Sequence, residues 1–325
     1  MNESTVQRRE IGNLMKRASK DYVILIALFC AVLVFSLSSE YFFTANNLMT
    51  ILLQSATVAI VAIGQAFVML GGNLDLSLGQ NLCLSSYVAA ILIKSYGLNP
   101  WLGLLVCIVM AMLVGLINGL LVAYVKIPTF IATLGVMNIC TGLAKILSKS
   151  ATISNISDKI AFLGRGYLFG VIPVSAVVMI FMFVAAGFVA KKTVLGRYIY
   201  SIGGNEEAAY FSGIAVKKYT LISYIIAGFC VGIGGAVLLS RLNAVTISSG
   251  DGYEFDAVIG CVLGGIGLSG GKGKIVQALF GVLFLMVLFN GMTQLNVDPF
   301  VQDVIKGVVL IIAIAIDVLR NQVKN

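Results

Sequence analysis

No histidine occurs anywhere in the 325 residues. That removes HExxH zinc chemistry, Ser-His-Asp triads and histidine proton relays. Charge is scarce too: 11% of residues are Asp, Glu, Lys or Arg, against about 25% in a soluble domain. There is no G-x-x-x-x-G-K-[ST] phosphate loop, because Gly271-Lys272 is followed by Gly273 and position 266 is Ile. The LSGGK run at 268–272 resembles a signature of nucleotide-hydrolysing domains, but without that loop the chain hydrolyses no nucleotide itself. Gly232-Ile-Gly-Gly lacks the third glycine of a dinucleotide fingerprint and sits inside an apolar run. Six cysteines (30, 83, 107, 140, 230 and 261) all fall in apolar segments, where they read as small buried hydrophobes rather than disulfides or metal ligands.

What remains is membrane-grade hydrophobe: 59% of residues are hydrophobic and the mean hydropathy is +1.01. Many runs of roughly 17–25 apolar residues follow one another, each long enough to cross about 30 Å of hydrocarbon. The fold class is an all-α polytopic membrane protein, since a β-barrel would show short segments of alternating polarity. The basic stretch Arg8 to Lys20 precedes the apolar run 22–37 with no small-residue cleavage site after it, so the first run reads as a retained span.

Ten spans are expected, near 22–38, 47–70, 75–93, 101–123, 130–147, 171–190, 220–242, 255–268, 275–294 and 299–317. The run at 255–268 is short and glycine-rich. With the N-terminus inside, fifteen of the 22 basic residues fall on the cytoplasmic side: five from Arg8 to Lys20, then Lys126, Lys191, Lys192, Arg197, Lys217, Lys218, Lys272, Lys274, Arg320 and Lys324. Six lie outside (Lys94, Lys145, Lys149, Lys159, Arg165, Arg241) and Lys306 lies in the last span. This bias obeys the positive-inside rule. It also accounts for the +8 net charge through orientation and anionic headgroups, with no need for nucleic acid. The organisation is a cytoplasmic basic tail (1–20), one transmembrane domain (21–319) and a short cytoplasmic tail (320–325). A polar segment at 148–170 faces outward as a small structured loop.

Two segments echo each other: GGNLDLSLGQ (71–80) before the third span and GGIGLSGGKG (264–273) before the ninth. Both put glycines and Leu-Ser at the inner end of a hairpin, as in transporters built from internal repeats with broken helices. Asp75 lies at the edge of the third span, where a carboxylate is costly and a functional candidate. Gly71 and Gly72 beside it suggest an unwound segment, with Ser77 capping the helix that follows; an N-cap Asp75 at the cytoplasmic interface is the competing reading. Asn73, Asp75, Ser77, Asn118, Thr133, Asn138 and Asn290 are candidates to line a wet path, since amides and hydroxyls donate and accept hydrogen bonds. Each of the span amides and hydroxyls would serve equally as an interhelical contact. Lys306 and Asp303 sit three apart, at helical contact spacing, and read as a structural pair.

The longest charged segment is 191–219, KKTVLGRYIYSIGGNEEAAYFSGIAVKKY. Asn205 can cap a short helix through 206–212 with Glu206 and Glu207 in its first turn. Gly203 and Gly204 before it and Gly213 after it would supply a sharp entry and exit. A tethered interfacial helix of this kind suits a groove on a soluble partner, or simply joins two spans.

Four motifs in order, GGNLDLSLG, IPTFIATLG (127–135), GRYIYSIGGNEEAAYFSGI (196–214) and GYEFDAVIGCVLGGIGLSGGKGKIVQALFG (252–281), are similar to the permease subunit of ribose/monosaccharide-type ABC importers, in the branched-chain-amino-acid/ribose permease superfamily. The resemblance covers the chain past its N-terminal tail. It implies a type II, vitamin-B12-type fold of ten helices in a bacterial inner membrane and a permease that works as a pair, read as a homodimer; two ATPase subunits dock on the cytoplasmic side, and an extracytoplasmic sugar-binding protein delivers the substrate. It implies no cofactor and no catalytic residue. The resemblance implies that the 191–219 loop between the sixth and seventh spans is the coupling element, carried by Gly203, Gly204, Asn205, Glu206, Glu207, Ala208, Ala209 and Gly213; Glu207-Ala208-Ala209 followed by Gly213 resembles the EAA-x-x-x-G motif of importer permeases. An ion-coupled secondary transporter would want deep charged residues, and only Asp75 and Lys306 come near. An intramembrane enzyme would need a convergent nucleophile and base.

Overall fold

In the computed structural model, residues 23–322 are described, the side chains of 320–322 excepted. The expected basic tail at 1–20 lies outside them. Helix follows helix: α1 (Val23–Ser38), α2 (Ala45–Leu70), α3 (Leu78–Tyr96), α4 (Pro100–Leu120), α5 (Thr129–Ser148), α6 (Ala161–Arg165), α7 (Val174–Lys192), α8 (Val194–Gly204), α9 (Glu206–Phe211), α10 (Val216–Leu242), α11 (Tyr253–Leu263), α12 (Ile275–Gln294) and α13 (Pro299–Gln322). Helix α4 runs on through a π-turn at Leu121–Val125.

Seven helices among the described residues are long and apolar enough to cross a membrane: α2, α4 with its π-turn, α5, α7, α10, α12 and α13. Three of the expected spans are weaker. The described part of α1 is short. Helix α3 carries Gln80, Asn81, Ser85 and Ser86 in its first half, all buried. Helix α11 has only 11 residues, so the expected span 255–268 is corrected to a half-length helix followed by a glycine turn, where Gly265, Gly270, Gly271 and Gly273 all take positive φ. Helix α3 starts at Leu78 rather than 75. The backbone leaves helix at Gly72 (φ +77), a conformation open to glycine at no steric cost, and returns unwound through Asp75.

The core is arranged around α2, of whose apolar window 83% is buried, against 6% for α13. Helix α10 packs on both α2 and α4. The α4–α10 contact is close because both faces are small: a Cβ on Gly228 would stand 2.8 Å from the Met112 Cα, and one on Gly232 would strike the Ile108 backbone. Gly228 and Gly232 form a G-x-x-x-G face, the pattern that lets helix backbones approach in lipid. Outward, α4, α5, α7 and α13 expose Leu105, Ile139, Phe181 and Ile311 among other apolar side chains, as a lipid-facing surface must.

The 148–170 segment is ordered by two short antiparallel ribbons. One pairs β1 (Ile153–Ser154) with β4 (Ala244–Val245), and the other pairs β2 (Tyr167–Leu168) with β3 (Ile172–Pro173). Asn243 holds the first, its Oδ1 accepting from the Ile156 and Ser157 nitrogens at 2.9 Å each.

Gly232→Leu should lower the apparent Tm of the purified protein in detergent, because overpacking a close contact costs about 1–3 kcal/mol. Gly142→Leu should leave it unchanged, since nothing lies within 4 Å of that position. Equal shifts would contradict the packing described.

Candidate functional site: a polar loop on a glycine junction

The 191–219 segment folds as two helices. Thr193 caps α8, its Oγ1 accepting from Gly196 N at 3.3 Å. Asn205 then leaves helix (φ −163, ψ 107), and its Oδ1 accepts from Ala208 N at 2.9 Å, with Glu206 and Glu207 in the first turn of α9. That is the cap expected from sequence. Gly213 takes φ +80; its nitrogen donates to Tyr210 O at 2.9 Å, and Ile214 N donates to Ala209 O at 3.1 Å. This satisfies the orphan carbonyls of α9. Ala209 packs down with Ile202 and Val216. Tyr210 and Phe211 point away, 67% and 77% exposed, with ring centroids 5.7 Å apart. Neither aromatic carries a motif of its own; their signal in the sequence is a Tyr-Phe pair beside Ala208-Ala209 on a six-residue helix. Lys126 pairs with Glu206 at 3.2 Å, an exposed contact worth about 0–1 kcal/mol.

Gly203 and Gly204 do not make the sharp entry expected of them. They are helical, at the end of α8, and the turn is made by Asn205 alone. Their smallness serves a close approach instead. A Cβ on Gly203 would run into Leu70 O and stand 2.6 Å from Gly271 N, and one on Gly271 would stand 2.6 Å from the Gly204 Cα. Gly271 N donates to Leu70 O at 2.9 Å, and a Cβ on Gly270 would be 2.6 Å from Gly72 N. The two echoing glycine segments therefore touch, with α8 laid across them. Tyr200, whose phenol pKa burial raises further, donates its hydroxyl to Gly273 O at 2.8 Å.

The unwound stretch from Gly71 is pinned from the other side. Thr129 Oγ1 donates to Leu74 O at 2.7 Å, and the Tyr224 hydroxyl donates to the same carbonyl at 3.1 Å. Asp75, 1% exposed, accepts from Ser77 N at 2.9 Å, from Ser77 Oγ at 2.7 Å and from Asn118 Nδ2 at 3.2 Å. Ser77 thus spends its hydroxyl on Asp75, and neither side chain caps α3. The carboxylate closes a turn deep in the protein.

Of the seven path candidates, Asp75, Ser77 and Asn118 come together. Asn73 Nδ2 donates to Gly71 O at 3.1 Å. Thr133 and Asn138 bond back to their own helix, at Thr129 O and Leu134 O. Asn290 Nδ2 donates to Asn47 Oδ1 at 3.0 Å, joining α12 to α2. The expected Lys306–Asp303 pair is replaced: Lys306 Nζ lies 2.9 Å from Asp256 Oδ1 on α11, because α13 turns that face toward the half-length helix. Periodicity along one helix does not reveal a partner on another. No group of three or more Cys, Asp or Glu able to hold a metal occurs among the described residues.

A bundle of apolar helices interrupted by two glycine-rich unwound turns, bearing a polar loop on the same end, is the build of a membrane transport subunit. The profile of the family described as "Branched-chain amino acid transport system / permease component" matches residues 47–314, and the chain belongs to that family. It is 40% identical over 294 residues to the ribose import permease protein RbsC of Bacillus subtilis (strain 168), covering 90% of this chain and 91% of that one. It is 34% identical over 288 residues to the D-allose transport system permease protein AlsC of Escherichia coli (strain K12), covering 88% of each. It is 30% identical to the xylose transport system permease protein XylH of Haemophilus influenzae, covering 91% and 95%. No solved structure matches it significantly.

Asn205→Ala removes the cap of α9, a loss of about 1 kcal/mol. Amide hydrogen exchange at 208–213 should quicken by roughly fivefold, with exchange at 228–240 unchanged. Unchanged exchange in α9 would contradict the capping geometry.

Proposed function

We propose that this chain is the membrane-spanning subunit of a binding-protein-dependent ABC importer and forms the path for a monosaccharide of the ribose kind. ATP hydrolysis lies on partner ATPase subunits, and the chain itself catalyses nothing. It works as a pair, by our reading a homodimer, in a bacterial inner membrane, receiving sugar from an extracytoplasmic binding protein. The chain spans the membrane in a type II importer arrangement of about ten helices with both termini cytoplasmic, α11 entering it as a half-length helix with the glycine turn that follows. The 148–170 ribbons face outward and 191–219 faces the cytoplasm. Asp75, Ser77 and Asn118 shape the inner part of the path, with Asn73 and Thr133 beside it. Asn290 serves a helix contact first, and Asn138 bonds its own helix.

One observation carries the coupling reading. Helix α9 presents Tyr210 and Phe211 to solvent at the tip of a charged loop, where burying two aromatics against a partner is favourable. Beneath it, α8 meets the turns after α2 and α11 backbone to backbone. A partner that grips α9 and moves it therefore moves both turns. The names of the relatives, ribose, allose and xylose permeases, favour a neutral sugar. An ion-coupled carrier finds less support: Asp75 is enclosed and hydrogen-bonded, and Lys306 is paired.

Glu206→Lys combined with Gly213→Trp should abolish ATP-dependent sugar uptake by the reconstituted transporter while the chain is still made and inserted. Normal uptake with normal ATPase binding would contradict the coupling role. Uptake that survives ATP depletion but collapses with the proton gradient would contradict the importer reading as a whole.

A further inference from the structure

Far from the loop, a cavity of about 350 Å³ opens between α2, α10, α11, α12 and α13. Its level follows from which ends line it. Gln54 is in the first half of α2, Arg241 in the last turn of α10, Tyr253 and Asp256 in the first turn of α11, and Gln302, Asp303 and Lys306 in the first turns of α13. The opposite ends of α2 and α11 lead into the glycine junction. The cavity thus faces the side away from α9.

Its lining is unusual for an apolar bundle. Two cations (Arg241, Lys306) and two carboxylates (Asp256, Asp303) balance one another. Three of these four are fixed by the protein. Arg241 Nη1 donates to Leu53 O at 2.8 Å, beside Tyr253 on the same wall. Lys306 pairs with Asp256 at 2.9 Å and lies 5.3 Å from the Phe289 ring centroid. The Asp303 carboxylate and the Gln54 amide have no hydrogen-bond partner among the described residues. Helix interiors in a membrane carry such groups at a cost and face them to cavities. A net-neutral, amide- and carboxylate-lined space with aromatic walls and room for one small ligand favours a neutral polyhydroxyl compound, whose hydroxyls donate and accept at once. A sugar phosphate would bring charge that nothing here offsets.

We infer that this cavity is a monosaccharide docking site at the mouth opposite the loop, with Asp303 and Gln54 as its ligand-facing groups. The inference rests on the importer reading. The site holds the sugar between its release by the binding protein and its passage toward the glycine junction.

The test uses the complete transporter in nanodiscs, with Cys30→Ala to remove the exposed thiol and Gln302→Cys as reporter; Met286→Cys, on the same cavity wall, is the second reporter should the first assemble poorly. The rate of modification by a membrane-impermeant methanethiosulfonate is measured with D-ribose, D-allose or D-xylose in excess, with D-ribose 5-phosphate, and with L-leucine. Uptake is assayed in the same preparation. We expect the imported monosaccharide, at about ten times its dissociation constant, to slow modification by about tenfold through occupancy, with the anion and the amino acid ineffective and Lys94→Cys insensitive to all. Asp303→Asn should weaken this protection by roughly the same factor. A transporter that imports sugar under ATP but shows no protection at either reporter overturns this site and leaves the importer reading standing. Protection by L-leucine alone overturns the sugar class. Absence of ATP-dependent uptake of every sugar overturns the importer reading, and the site with it.

Discussion

At the end of the bundle beneath α9, the Gly271 nitrogen donates to the Leu70 carbonyl at 2.9 Å, and Gly203 lies against that same bond with no room for a side chain. This contact joins three segments that are distant in the chain: the end of α2, the end of α8 and the turn after α11. Because the contact is between backbones, it has no flexible side chains to absorb motion. Close packing of this kind transmits displacement rather than damping it. The unwound stretch through Asp75 and the half-length α11 both hang from it.

The cost of breaking two helices inside an apolar bundle is met locally. Backbone groups freed by unwinding must find partners where water is scarce. Leu74 O is taken by Thr129 and Tyr224, and the Asp75 carboxylate holds the turn through Ser77 and Asn118. At the other break, the Leu268 nitrogen donates to Asp317 Oδ2 at 3.0 Å, while Lys306 binds Asp256. Helix α13 is thereby tied to α11 at one level and to the glycine turn at another. A charge on a peripheral helix is explained by what it holds in place.

Much of this was legible in the sequence. Runs of apolar residues located the seven helices long and apolar enough to cross a membrane, since membrane thickness leaves few alternatives, but the run at 255–268 was over-read as a full span. Asn205, followed by two glutamates and then Gly213, announced α9 and its cap. The four motifs that suggested the family, at 71–79, 127–135, 196–214 and 252–281, supply Gly72, Thr129, Gly203 and Gly271, which meet around one junction. Their meeting was not legible, because proximity between segments far apart in sequence leaves no periodic mark in one chain. The same limit misassigned Lys306 to Asp303 and gave Ser77 a capping role. Gly203 and Gly204 were read as a turn because glycine marks both turns and close approaches, and only the neighbours distinguish the two.

The central claim is that the loop and the two glycine turns move as one body. Spin labels at Ser212 and Ser269, with Lys94 as a reference at the far end of α3, measure this by double electron–electron resonance in the assembled transporter. A rigid junction keeps one unchanged Ser212–Ser269 distance in the nucleotide-free and ATP-trapped states, while the Ser212–Lys94 distance shifts. A Ser212–Ser269 distance that changes between those states, with uptake intact, would contradict it.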